Sequence, residues 1–377
     1  MASVTPRFLW QNFLHLTNTA VTVSSEDTSF PKRWLLDPLK TMRWRSKLGW
    51  TVVAGFNDKL DFDEGGSNRV ATLTAGTYTT GAAYATMLQT AINAAAVSNT
   101  YTVTYSATTF KFTIARATGS TAVSLEWSTG ANAGTSCGRD IGFIVSADDT
   151  GATTYTSDYA CYQSRQYVKA DLGSAMTVKA LGLVGMQTLT TNGLVRLQGN
   201  ATDAWTSPSY DQSFGPSAQA DDVIAHWPST SQTYRYWRIM LDDPYLSSGY
   251  QQVGLAYLGS YLEPTRAPQF GGVTEQHQPL AVIQQGDSGG IFTDNKSPAR
   301  TFSLTFVILP DSDRLLIQAM QKSIGAKPIF FALDPQNAPT NILYGAVVEY
   351  GEFVHMAGGG ATTGYWSWPC RILESLM

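Results

Sequence analysis

Charge is scarce in this chain. Lys, Arg, Asp and Glu together make up 14% of its 377 residues, against about a quarter in an ordinary globular protein. Thr, Ser, Gly, Tyr and Trp take their place. That mixture suits extended strands with polar surfaces and disfavours long amphipathic helices. The net charge is −4, with no long basic run, which argues against nucleic-acid binding driven by phosphate contacts. Cysteine is scarcer still. Cys137, Cys161 and Cys370 are too few and too scattered for a disulfide framework or a zinc knuckle. They read as free or buried thiols, with a Cys137–Cys161 bridge as the main exception. No run of eighteen apolar residues occurs, so no membrane insertion is expected. The apolar stretch near the N-terminus is broken by Gln11, Asn12 and His15 and lacks the uninterrupted core of a signal peptide. Synthesis in a cytoplasm without export is the expectation.

Apolar periodicity changes along the chain. Residues 5–50 alternate in short runs broken by Phe30-Pro31 and Asp37-Pro38. These read as strands and turns that cannot close a core of their own. From residue 56 the pattern shifts. Leu60 and Phe62, then Ala71 and Leu73, alternate as strands. Tyr84, Met87 or Leu88, Ala91, Ile92 and Ala95 then recur at helical spacing, with Thr80 placed as N-cap. A hairpin follows over Tyr101–Tyr105 and Phe110–Ile114, then a strand through Val123, Leu125 and Trp127, and Ile141-Gly142-Phe143 closes the unit. This is a ββ-α-βββ, α+β module over 56–160. The all-β pattern resumes at 161–264, with residues 200–219 read as a long loop. Residues 263–272, carrying Pro264 and Pro268, read as a linker. The C-terminal 265–377 begins again with an alternating strand at Phe302–Ile308, a helix from Ser312 ended by Gly325, and a closing strand at Tyr365–Ile372.

Chemistry-bearing motifs are sparse. Gly286-Asp287-Ser288-Gly289-Gly290 matches the surroundings of a serine-protease nucleophile. However, none of His15, His226, His277 and His355 lies in the context a catalytic base would need. The pentapeptide reads as a turn. Asp58, Asp61, Asp63 and Glu64 interleave with Lys59, Leu60 and Phe62 and read as a solvated strand edge rather than a calcium loop. Asp148-Asp149 and Asp221-Asp222 read as solvated loop pairs. Trp205, Tyr210, Phe214 and Trp227 flank a polar, Asp-containing stretch, a composition that can hold a sugar by ring stacking and hydrogen bonds. Covering the end of a sandwich or forming a subunit contact is the alternative for these aromatics. Strand alternation is expected to place Arg235 and Arg238 on opposite faces.

Three resemblances follow from these residues. The segments SSEDTSFPKRWLLDP (24–38), MRWRS (42–46), YVKADLG (167–173), RLQGN (196–200) and YRYWRI (234–239) resemble a discoidin-type, galactose-binding-like β-sandwich. Here that sandwich is split, over 1–55 and 161–264, by the module at 56–160. Such sandwiches sometimes hold a structural calcium, which makes Asp37 and Asp242 candidates for ligands. The inserted stretch, with NDKLDFDEG (57–65), LTAGTYTT (73–80) and YTVTYSATTFKFTI (101–114), is similar to a small module of phage and viral structural proteins. The C-terminal hundred residues loosely resemble domains of phage tail-tip and baseplate proteins.

The expected architecture is therefore mostly β with α+β modules: a split discoidin-like sandwich, an inserted module and a C-terminal β-rich domain. The resemblances imply a structural, non-enzymatic component of a bacteriophage tail tip or baseplate, located in the virion and needing no cofactor. Its partners would be other tail proteins, further copies of itself in threefold or sixfold symmetry, and a host-surface glycan. The alternative function is carbohydrate binding or adhesion through the sandwich.

Overall fold

The computed structural model describes residues 5–39, 41–278, 282–285, 291–294, 298–357 and 364–375. The chain is mostly β, with two α-helices among the described residues. At its centre lies a β-sandwich of two antiparallel sheets. One sheet has five antiparallel strands in the order Tyr210–Phe214, Leu194–Asn200, Gln232–Asp242, Gln166–Val178, Ala20–Val23. The facing sheet runs Gln219–Ala220, Val223–His226, Ala180–Val184, Leu255–Gly259. Period-two alternation sends Val168, Ala170, Leu172, Val195, Leu197, Trp237 and Ile239 inward to meet Leu181, Leu183, Ile224 and Leu258.

The upstream segment is bound into this sandwich. Ala20–Val23 pairs antiparallel with Val168–Asp171 of the long central strand. The Ser24 and Ser25 hydroxyls both donate to Gln166 Oε1, at 2.6 and 2.8 Å. Trp44 is fully buried in the core and donates its indole N–H to the Ser25 carbonyl at 3.2 Å.

Between these pieces lies the inserted α+β module. Its strands Lys59–Glu64 and Asn68–Thr72, helix α1 (Gly81–Ala95), and strands Thr100–Tyr105, Phe112–Thr118 and Val123–Leu125 follow the expected order. Short strands at Gly76–Tyr78, Asp149–Thr150 and Thr154–Thr156 are added to them. Thr80 caps α1 by accepting from Ala83 N–H at 3.2 Å. Tyr84, Leu88 and Ile92, each four apart, bury against Phe62, Tyr101 and Phe112. Ile141-Gly142-Phe143 closes the unit at the end of a single-turn helix, Gly138–Ile141. Gly142 ends that turn at φ 85°, where an added Cβ would lie 2.4 Å from the Tyr159 carbonyl oxygen. Trp50 and Val52 pack into the core of this module. Cys137, Cys161 and Cys370 are free and buried.

The C-terminal sheet runs Tyr261–Leu262, Arg7–Leu9, Ile329–Ala332, Ile342–Tyr350, Tyr365–Glu374, Ala299–Pro310, Val273–Gln278, with Val354–Ala357 also beside Tyr365–Glu374. Helix α2 (Asp311–Ile324) covers one face through Ile317, Met320 and Ile324. The first strand, expected with the sandwich, lies in this sheet instead. Phe8 pairs with Phe331 and with Leu262, and both faces of the strand are apolar. Phe8 joins the α2 core, while Leu9 joins the seam to the sandwich. In that seam Phe330 sits on Gly182, where a Cβ would meet its ring at 2.7 Å. The sandwich's second sheet is thus apolar on both sides.

Candidate binding site on the outer face of the sandwich

The four aromatics singled out in the sequence do not share one surface. Residues 200–219 are not one loop, since Tyr210–Phe214 is an edge strand paired with Leu194–Asn200. Alternation in that strand turns Tyr210 and Phe214 toward the sandwich interior. There Tyr210 lies 6.1 Å from the Trp237 ring, and Phe214 stacks on His226 at 4.9 Å. The Tyr210 hydroxyl is 3.3 Å from His226 Nε2, and burial pushes that imidazole down to about 4. Trp227 follows His226 just past the end of its strand and lies on the other side, toward the C-terminal sheet, packed on Tyr261 and beneath Arg7. Trp205 stands apart from all three, on the outer face of the five-stranded sheet.

Trp205 has neighbours that the sequence did not single out. A row of polar side chains crosses the sheet where the register places Lys169 opposite Arg238, Arg238 opposite Gln198 and Gln198 opposite Asp211. Arg238 donates from Nε to Gln198 Oε1 at 2.7 Å, and Gln198 Nε2 donates to Asp211 at 2.8 Å. Lys169 Nζ donates to Asp203 Oδ2 at 2.7 Å, and Trp205 Nε1 donates to Asp203 Oδ1 at 2.6 Å. The Arg238 guanidinium is 4.7 Å from the Trp205 ring centre, 5.3 Å from Phe56 and 5.9 Å from Tyr167. Phe56 comes from the start of the inserted module and meets Tyr167 edge-on at 4.9 Å. Phe56, Tyr167, Lys169, Asp203, Trp205 and Arg238 line a cleft of about 340 Å³, within the ~300–1,000 Å³ range of small-ligand sites.

The electrostatics of the cleft are uneven. Burial tends to raise the Asp203 carboxyl, but Lys169 and the Trp205 indole outweigh it and hold the group below its ordinary value. Burial pulls Arg238 down to about 10, with help from the nearby cations Arg165 and Arg196. Arg238 therefore remains charged at neutral pH. The alternation expected to separate Arg235 from Arg238 fails beside the bulge between Asp171 and Met176. Arg235 pairs with Asp171 at 2.7 Å, on the same outer side.

The acidic candidates have other work. Asp58, Asp61 and Glu64 are buried rather than forming a solvated edge. Asp61 accepts from Asn132 N–H and Nδ2, and Glu64 accepts from the N–H groups of Val97, Ser98 and Asn99 and from the Tyr101 hydroxyl. Asp148 is likewise held by Ser128 and Thr129, and Asp149 accepts from the Trp127 indole. Asp37 accepts from Leu39 N–H inside its own turn, and Asp242 pairs with Arg139 at 2.7 Å. Among the described residues no group of three or more His, Cys, Asp or Glu could hold a metal ion. No helix among them is long and apolar enough to cross a membrane. Residues 286–290, with Ser288, lie outside the described residues.

Larger cavities lie along the seam between the sandwich and the C-terminal domain, among them two that flank Trp10. One of about 500 Å³ is lined chiefly by Trp10, Phe13, Leu16, Leu36, Leu255 and Ile324. The other, of about 650 Å³, lies beside Lys179, Tyr261 and Glu263. Neither combines a group of rings around a buried arginine as the Trp205 cleft does.

No family model matches this chain, and no curated protein matches it. Among solved structures it is similar to CpGH89CBM32-6, produced by Clostridium perfringens, at 8% identity and a TM-score of 0.27, over 66% of this chain and 98% of that one. The family 32 carbohydrate-binding module of C. perfringens NanJ, solved with galactose, gives 8% identity and a TM-score of 0.27 over 68% and 98%. A fucose-binding module of Streptococcus pneumoniae gives 7% and 0.20 over 25% and 62%. These likenesses are too slight to speak to this chain's ligand. The fold rests on the strand ladders and cores described above.

Proposed function

We propose that this protein is a carbohydrate-recognition protein rather than an enzyme, and that the Trp205 cleft is where it holds a sugar. The observation that carries this is the placement of Trp205 beside fixed polar groups on the open face of a rigid sheet. An aromatic face can stack on a pyranose ring. Lys169 and Arg238 are held in place by the sheet register, and Asp203 is fixed beside them by Lys169 and the Trp205 indole. Trp205→Ala should weaken binding to a glycan array hit by about 30-fold, as expected for an aromatic anchor worth ~2 kcal/mol. Its unfolding midpoint should stay near that of the parent, because Trp205 lies outside the four buried cores. Undiminished binding by a folded Trp205→Ala protein would remove the cleft from consideration.

A structural role fits beside this reading. We place the chain in the virion of a tailed phage, at the tail tip or baseplate, in threefold or sixfold copies among other tail proteins. Its three units would be 1–55 with 161–264, 56–160 and 265–377. Support comes from the resemblance of 56–160 to phage structural modules. It also comes from Val354, Met356 and Tyr365, apolar side chains exposed at one end of the C-terminal sheet, which a neighbouring subunit would cover. Immunogold labelling of intact phage with an antibody that binds the native chain should mark the tail tip. Unlabelled tails would refute the virion assignment and leave the glycan reading standing.

A further inference from the structure

Cations around the Trp205 cleft are matched one to one with carboxylates, with one exception. Lys169 has Asp203 at 2.7 Å, Arg165 has Asp140 at 2.9 Å, Arg235 has Asp171 at 2.7 Å, and Arg196 has Asp211. Arg238 is the cation left over. It is 5% exposed, and among the described residues it has no ion-pair partner. Its one hydrogen bond is the Nε donation to Gln198. The ring faces of Phe56, Tyr167 and Trp205 surround the guanidinium, while its two Nη groups have no acceptor among the described residues. A buried charge without a counter-ion is costly. The sheet nevertheless holds this one at the wall of an open cleft.

We infer that the sugar recognised by this cleft carries a carboxylate, as a uronic or sialic acid does, and that Arg238 receives it. The inference rests on the carbohydrate reading above and names the class of sugar. A planar carboxylate matches the two-pronged edge of a guanidinium, and such pairs are directional as well as strong. Its single negative charge equals the one positive charge left unmatched. Asp203 also lines the cleft, but its oxygens are taken by Lys169 and by the indole of Trp205, so it does not leave a free negative charge to repel the ligand. Stacking on Trp205 would hold the ring while Arg238 reads the acid.

The test compares ligands before it compares proteins. The full chain is screened on an array displaying terminal glucuronate, galacturonate and sialate, their methyl esters, their neutral counterparts and sulfated sugars, and the hits are titrated in solution. An ester keeps the shape of the sugar and removes its charge. The acid should bind about tenfold or more tighter than its ester, the scale of one charged hydrogen-bonded pair, and the advantage should shrink with added salt. Arg238→Gln should abolish that advantage, so that the variant binds the acid and its ester alike. If that variant does not fold, the ester comparison on the unaltered protein still decides. Equal binding of acid, ester and neutral sugar overturns this inference and spares the carbohydrate reading. Preference for sulfate over carboxylate overturns the assignment to a carboxylate. Binding of no glycan of any kind overturns both.

Discussion

Asp140→Ala should cost about 3–5 kcal/mol of stability and should loosen the inserted module from the sandwich first. Asp140 sits in the single-turn helix Gly138–Ile141 and is fully buried. Every partner of its carboxylate is a donor. Oδ1 accepts from Arg165 N–H at 2.7 Å and from Arg165 Nε at 2.9 Å, and Oδ2 accepts from Asn57 Nδ2 at 2.8 Å. Its own carbonyl takes the Trp50 indole N–H at 2.8 Å. Without the carboxylate, Arg165 keeps a bond to the Ser136 carbonyl but loses its counter-charge inside the protein. The neighbouring Arg139 points the other way and pairs with buried Asp242 of the sandwich. Two successive residues of one turn therefore make ion pairs of opposite polarity across the same junction. Hydrogen exchange should show early loss of protection over 136–143 and 161–166. Replacing both partners by apolar residues, Asp140→Leu with Arg165→Met, should recover much of the loss, because the penalty arises from the unpaired charge. A single-variant loss below about 1 kcal/mol would show that the junction does not depend on this pair.

Trp44→Ala should be comparably damaging, at about 3–5 kcal/mol for emptying a buried indole site. Trp44 is contributed by a strand of two residues, Trp44–Arg45, which among the described residues forms a ladder with Gln252–Val253 alone. So short a ladder holds little by itself. What fixes the segment is the indole in the sandwich core, the Ser25 carbonyl on its N–H, and the Ser24 and Ser25 hydroxyls on Gln166. Arg45 adds rim contacts over Phe30 at 3.9 Å and Tyr250 at 4.8 Å. Emptying the Trp44 site should make residues 26–47 the first to be cut in limited proteolysis, while Gln166–Val178 stays protected. Trp44→Phe should cost less, since most of the apolar volume is retained. Unchanged proteolysis in Trp44→Ala would mean that the upstream segment is held by its backbone ladders alone.

Local signals were legible where the physics is local. The four-residue spacing of Tyr84, Leu88 and Ile92 with Thr80 as cap is a property of the helix itself, and the structure places α1 there. The alternation of Tyr101, Val103 and Tyr105 against Phe112 and Ile114 likewise gives the observed hairpin. The acidic run at 58–64 was misread because its alternation says nothing of what lies opposite. Glu64 is buried since three backbone N–H groups of 97–99, some thirty residues away, converge on it. Trp205, Tyr210, Phe214 and Trp227 are close in sequence yet lie on different surfaces. An edge strand forms at Tyr210–Phe214, and each step of its pleat reverses the side. Phe56 carried no signal at all for a place beside Arg238.

By itself the sequence determined that this chain is β-rich and low in charge, that a helix-bearing stretch interrupts the all-β patterning, and where α1 and α2 lie. Those features come from period, capping and composition, which act over a few residues. Only the tertiary structure decided that the first strand belongs to the C-terminal sheet, which carboxylate answers which arginine, and which aromatic faces solvent. Each of these depends on pairing beyond the reach of local pattern, from 25 residues for Arg165 with Asp140 to 256 for Arg7 with Glu263, and a strand's own pattern names two faces without saying which partner will cover them.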